Sequence, residues 1–174
     1  MAEEQIKLTL VERLILRNQF EILGKLSPKE AKWYDLHIEA LDNAYEHDYP
    51  NMFKVLSREP FTRDQSREVI DILDMYRHLQ FSFSQLKNPK KLKASDVEFP
   101  GFDGNHEIEV QYMAYAAYLV KDDHFGMVKL ENKNSFNSHR EMLERYRRML
   151  PAWKMMKRDS DLSEDQITLI LGKQ

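Results

Sequence analysis

Residues 61–87, FTRDQSREVIDILDMYRHLQFSFSQLK, contain neither proline nor glycine, and the next breaker is Pro89. A run of this length predicts one long helix over about 63–86, roughly 36 Å from end to end. Its start is marked by Thr62-x-x-Gln65, in which the hydroxyl accepts an early backbone N–H and the amide reaches back to the cap. At 100° per residue, Val69, Ile72, Leu73, Tyr76, Leu79, Phe83 and Leu86 form one apolar stripe. Ile70 and Phe81 widen it on one side and Met75 on the other. A face this wide calls for neighbours wrapped around the helix, so the segment is expected to be the hub of the fold.

What remains of the hub is a narrow polar seam of Arg67, Asp71, Asp74, His78, Ser82 and Gln85. The three- and four-residue spacings of Asp71, Asp74 and His78 put two carboxylates and an imidazole on one side. Such a trio can contribute to a divalent metal site or share a proton, but it is an incomplete ligand set without a known metal spacing. The competing expectation is a solvated seam with Arg67–Asp71 and Asp74–His78 helix pairs.

The 174 residues suit a single domain able to bury about 70% of its unfolded surface. The absence of cysteine excludes disulfides, thiolate nucleophiles and cysteine zinc sites, and suits a reducing cytosol. A net charge of −3 offers no overall attraction to nucleic acid or membrane. MAEEQIKLTL lacks a basic stretch followed by an apolar run, so no signal peptide is expected, and no apolar run approaches the ~20 residues of a membrane span. With 32% charged residues and five glycines, the composition favours helices over a turn-rich β fold.

The other helices carry their own start signals. Thr9-x-x-Glu12 opens one that runs to about Lys25, with Val11, Leu14, Ile15 and Ile22 on its apolar face and Asn18 among them. A buried amide there is either structural, fixing register or subunit pairing as polar residues do in coiled coils, or a ligand contact. Ser27-Pro28-x-Glu30 predicts a helix to about Glu46 with Trp33, Tyr34, Leu36, Ala40, Leu41 and Tyr45 facing in and His37 among them. Phe99-Pro100-Gly101-Phe102 reads as a turn whose rings plug the core. Asp103 or Asn105 caps a helix over about 106–121, which carries Tyr112, Tyr115 and Tyr118. Residues 121–137 suggest an irregular loop or short hairpin, in which Asp122, Asp123 and His124 form only a weak metal candidate. Ser138-x-x-Glu141 opens a helix that Pro151 kinks or ends, and Ser163-x-x-Gln166 opens the last one. Around Pro151, Arg145, Arg148, Lys154 and Arg158 lie beside Tyr146 and Trp153, a pattern found in nucleic-acid binders. Arg140–Glu144–Arg148 and Glu141–Arg145 spacings would satisfy several of these charges locally.

Several stretches, in order, resemble the bacterial YfbU family: Arg13-Leu14-Ile15-Leu16-x-Asn18-Gln19, Ile70-Asp71-Ile72-Leu73-Asp74-Met75-Tyr76, Phe99-x-Gly101-Phe102-Asp103, Phe136-Asn137 and Glu144-Arg145-Tyr146-x-Arg148-Met149-Leu150, with Trp153 and Leu162-Ser163. The resemblance covers nearly the whole chain and departs at 49–60 and after Leu119. It matches the acidic pair of the seam only in part. It implies an all-helical cytoplasmic bacterial protein and implies no reaction.

The expectation is therefore an all-α, multihelical single domain over 1–174, built around the hub. Its function is that of a non-catalytic interaction or regulatory protein that forms homo-oligomers or meets another protein, with no catalytic residue, metal or cofactor assigned. The alternatives are a metal-dependent enzyme using Asp71, Asp74 and His78, and a nucleic-acid-binding regulator using Arg145 and Arg148. Asn18 is a further candidate contact.

Overall fold

A computed structural model describes residues 6–57, 59–121, 125–131, 135–156 and 161–173. The described residues form seven α-helices and no strand, so the chain is all-α. They group into two compact units, 1–60 and 61–174.

In the first unit, α1 (Leu10–Leu26) and α2 (Ala31–Asp42) pack on each other, and a short α3 (Tyr49–Met52) follows. Thr9 caps α1 through the expected reciprocal bonds with Glu12. Ser27, by contrast, is the C-cap of α1, its N–H donating to Leu23 O at 2.8 Å, and its side chain caps nothing. Residues Pro28–Glu30 form a 3₁₀ turn instead of the first turn of α2. The second helix also stops before Glu46. Ala44 takes a left-handed φ of 57°, and Tyr45 N–H returns to Ala40 O at 2.9 Å, a closure that satisfies the terminal carbonyls. The core of this unit is Phe20, Ala40, Leu41, Tyr49 and Met52. Phe20 meets Trp33 edge-on at 5.8 Å and lies 5.7 Å from the His37 ring.

The second unit is built on α4 (Arg63–Gln85), whose capping box between Thr62 and Gln65 forms as expected. Val69, Ile72, Leu73, Tyr76 and Leu79 are buried, each burial being worth about 1.5–3 kcal/mol. Met75 joins them, while Phe83 and Leu86 are half-buried and Phe81 points out. Packed around the hub are α5 (Glu109–Lys121), α6 (Leu143–Met155) and α7 (Glu164–Leu171). The last opens with the Ser163–Gln166 box and closes at Gly172 in the left-handed region.

The segment between α4 and α5 turns inward. Phe99 and Phe102 are fully buried. Gly101 between them has φ +92°, and a Cβ there would lie 2.1 Å from Phe136 O, so no other residue fits. Residues 125–131 and 135–138 do not pair as a hairpin. They run beside this segment through two isolated parallel bridges, Phe99 with Leu130 and Phe102 with Asn137. Gln80 of the hub holds the arrangement, its amide donating to Val97 O and Lys129 O and accepting from Lys129 N.

The starts of α5 and α6 depart from the sequence expectation together. Glu109, the first residue of α5 and nearly fully buried, accepts N–H from Met142, Leu143 and Asp103 at 2.7–3.1 Å. Its carboxyl thus caps α6, the role assigned by sequence to Ser138, whose hydroxyl instead donates to Arg140 O. The N–H of Glu109 itself meets His106 Nδ1 at 3.3 Å, so neither Asp103 nor Asn105 is its cap. Helix α6 continues through Pro151 to Met155, so this proline does not end it. The Lys90–Lys93 cluster docks on α7: Lys91 N and Leu92 N donate to Glu164, and Lys91 Nζ pairs with Asp165.

Candidate interaction surface and charged cleft

The seam of α4 is partly roofed by α6. Asp71 pairs with Lys154 Nζ at 2.6 Å, and Asp74 with Arg77 at 2.7 Å. His78 lies 5.6 Å from the buried Trp153 ring. Ser82 is buried, its hydroxyl accepting N–H from Leu162 at 3.0 Å. The seam is therefore a packed and ion-paired interface. Its two acids are both engaged by cations, and among the described residues no three His, Asp or Glu side chains come together as a metal site. The positions proposed for metal chemistry are thus brought near one another without forming a ligand set. Asp122, Asp123 and His124 lie outside the described residues.

Sequence reasoning missed Glu68, the centre of the polar network beside the seam. Its carboxylate accepts Tyr112 Oη at 2.7 Å and Arg147 Nε and Nη2 at 2.9 and 3.1 Å. Burial pushes the Glu68 acid up, but the Arg147 and Tyr112 hydrogen bonds overcome this and leave it below the ordinary carboxylate range. The same contact works in reverse on Tyr112: burial, then the adjacent carboxylate, raise its phenol to about 12. Arg67, Glu68, Asp71, Tyr112, Arg147 and Lys154 line a cleft of about 530 Å³. The partners of Glu68 stand 44 and 79 positions away, so no local pattern could have announced it.

The basic face of α6 is drawn into the same pairing. Arg147 also binds Glu144, and Arg140 reaches Glu131. These pairs differ from the expected Arg140–Glu144–Arg148 ladder. Arg145 is half-buried, and its positive charge favours ionisation of the deeply buried phenols of Tyr76 and Tyr146, where desolvation works the other way and prevails. Arg148 is exposed. Arg158 lies outside the described residues.

The most unusual surface belongs to α1. The expected apolar face is not the one that meets α2. Leu16, Phe20 and Gly24 point inward, whereas Val11, Leu14, Ile15 and Ile22 are 65%, 57%, 51% and 58% exposed. The helix is therefore apolar on two opposite sides. Asn18 is exposed in the middle of the outer one, so it is not the buried amide of the sequence expectation. Leu26 lies exposed on this outer side, and Trp33, Leu36 and Tyr45, expected to face in on α2, are exposed as well.

His37 is buried, as its place among apolar residues suggested. Its ring stands edge-on to Trp33 at 4.0 Å, and Nε2 has no hydrogen-bond partner. Desolvation lowers its pKa, with Asp48 pulling the other way. Such a group is poised to stay neutral.

No described helix is long and apolar enough to cross a membrane. The YfbU domain model matches residues 6–172, a span that includes the hub, the charged cleft and the outer stripe of α1. The chain belongs to the YfbU family.

Proposed function

We propose that this YfbU-family protein is a non-catalytic helical interaction protein that self-associates, with a regulatory rather than a chemical role, in the bacterial cytoplasm. The observation that carries this reading is the outward apolar side of α1. Single exposed hydrophobics are ordinary, but a contiguous stripe along one helix is characteristic of a surface that meets another protein. The charged cleft supports the same view, because its two carboxylates nearest α6 are each held by a base of that helix: Asp71 by Lys154, and Glu68 by Arg147. A catalytic carboxylate or a phosphate-binding base would need a less completely paired partner. The family model extends across both compact units, which supports their acting together as one domain. Cysteine-free composition fits a reducing compartment.

Light scattering during size-exclusion chromatography tests the proposal. A mass at a multiple of 20.8 kDa is expected at micromolar concentration. A single-chain mass at every concentration, together with turnover of any substrate, would overturn it.

A further inference from the structure

We propose that the occupant of the outer α1 stripe is the same stripe of a second copy, running antiparallel about a two-fold axis at Asn18. This rests on the self-association proposed above and specifies its geometry. The stripe is symmetric about that residue. Val11 and Lys25 lie seven positions to either side of Asn18 and about 20° to either side on the helix. Leu14 and Ile22 lie four positions away and about 40° to either side. A two-fold contact needs such self-complementarity, since each residue i that meets j must also be met as j by i. In this arrangement Leu14 faces Ile22 of the second copy twice over, and Val11 lies on the aliphatic stem of Lys25.

Asn18 suits the axis itself. An amide carries an acceptor and two donors, so two copies across a dyad satisfy one another reciprocally. In the single chain its oxygen accepts one long contact, from Arg17 at 3.4 Å. A polar residue within an apolar helix seam also fixes register, because any sliding strands it against hydrocarbon.

Charge selects the direction. Glu12 marks the start of α1 and Lys25 its last turn. Parallel pairing would bring Lys25, about 20° from Asn18 on the helix, against its own copy. Antiparallel pairing sets the acidic end against the basic one and opposes the helix dipoles. Area is adequate: Val11, Leu14, Ile15, Ile22 and Leu26 each leave on the order of 100 Å² in water, so two copies bury roughly 1,000 Å² before flanking side chains contribute, about the minimum for a specific interface.

The cysteine-free chain allows a clean test. Asn18→Cys, Val11→Cys and Lys25→Cys are single exposed substitutions, with folding checked by circular dichroism. Under mild oxidation Asn18→Cys is expected to become a disulfide-linked dimer in most of the sample, since the two Cα atoms near the axis fall within bridging range. Val11→Cys alone is expected to stay unlinked, because two copies of position 11 sit about 21 Å apart along antiparallel helices. A mixture of Val11→Cys and Lys25→Cys is expected to link across. Self-linking of Val11→Cys would overturn the antiparallel geometry. A multimeric mass with no linkage in any of the three would overturn this surface while leaving self-association intact. A single-chain mass at every concentration would remove the self-association on which this geometry rests.

Discussion

Among the described residues from Val69 to Leu171, the second unit buries 25 hydrophobic residues in a continuous core, including the complete rings of Trp153, Tyr76, Tyr146, Phe99 and Phe102. Among its described residues the first unit encloses five and leaves Val11, Leu14, Ile15 and Ile22 in water. Both are helical and both have well-formed N-caps, so the difference is not one of local structure. It comes from geometry. The hub helix has neighbours around most of its circumference, whereas α1, paired with α2, can cover one side only. A 60-residue unit has little interior to offer, and part of its apolar residues stay on its surface. Polar residues serve different ends in the two places. Glu109 is spent on an internal cap, and Asn18 is held outside.

The comparison can be broken most directly at the larger core. Trp153→Ala should cost about 3–5 kcal/mol through loss of buried area and the cavity left behind, seen as a lower denaturant midpoint in circular dichroism. Phe20→Ala should instead lower only the transition reported by Trp33 fluorescence. If both variants shift one common transition equally, the two units are not energetically distinct.

Next in size, Glu109→Ala leaves two buried N–H groups and one half-buried one without their acceptor and should cost about 3 kcal/mol, with Glu109→Gln costing less because one acceptor oxygen remains. Equal losses for the two variants would mean that the cap contributes little and that packing dominates.

A smaller effect, about 1 kcal/mol, is expected for Glu68→Gln at neutral pH. The folded-state pKa of Glu68 is depressed below its ordinary 4.5. Its stabilisation is therefore complete above that value and is lost as pH falls through the lower, folded one. Urea titrations should show the wild-type stability falling more steeply than that of Glu68→Gln over this acid window. Parallel curves would remove Glu68 from the centre of the cleft network.

The least effect is a pH signature that separates the units. His37 is depressed below its ordinary 6.5, so its neutral form favours the folded first unit, and that contribution fades as pH drops below 6.5 toward the folded value. Tyr112, raised to about 12, and the deeply buried Tyr76 and Tyr146, raised by desolvation, act at the other extreme. Their stabilisation of the second unit is complete below 10 and is lost as pH rises from there. Mild acid should loosen the Trp33 environment first, and His37→Leu should flatten that response. Strong alkali should unfold the second unit, with tyrosinate absorbance appearing in step.

Local chemistry made much of this fold legible. The caps at Thr9, Thr62 and Ser163 all form, because the hydroxyl and the residue three along need only one turn of backbone to meet. Gly101 and the two phenylalanines around it sit where a tight turn into a core would put them. The failures are equally specific. Ser27 and Ser138 offered the same cap pattern, but the first is taken up in closing α1 and the second is displaced by a carboxyl from another helix. Phe81 and Ser82 were exchanged between face and seam because the apolar arc is centred by the neighbours, not by the helix alone. The expected Arg67–Asp71 pair gave way to Lys154 as the partner reaching Asp71 from α6, over a separation that periodicity does not span.

The amino-acid sequence by itself determined the helices, their starts, the buried stripe of the hub and membership of the YfbU family, since all of these depend on short spacings or on a shared order of residues. Only the tertiary structure decided which of two apolar sides of α1 turns inward, that Glu109 caps α6, and that Glu68 rather than His78 gathers the polar network. Those outcomes depend on groups many residues apart competing for the same interior space and the same hydrogen bonds, and that competition is resolved only when the helices pack.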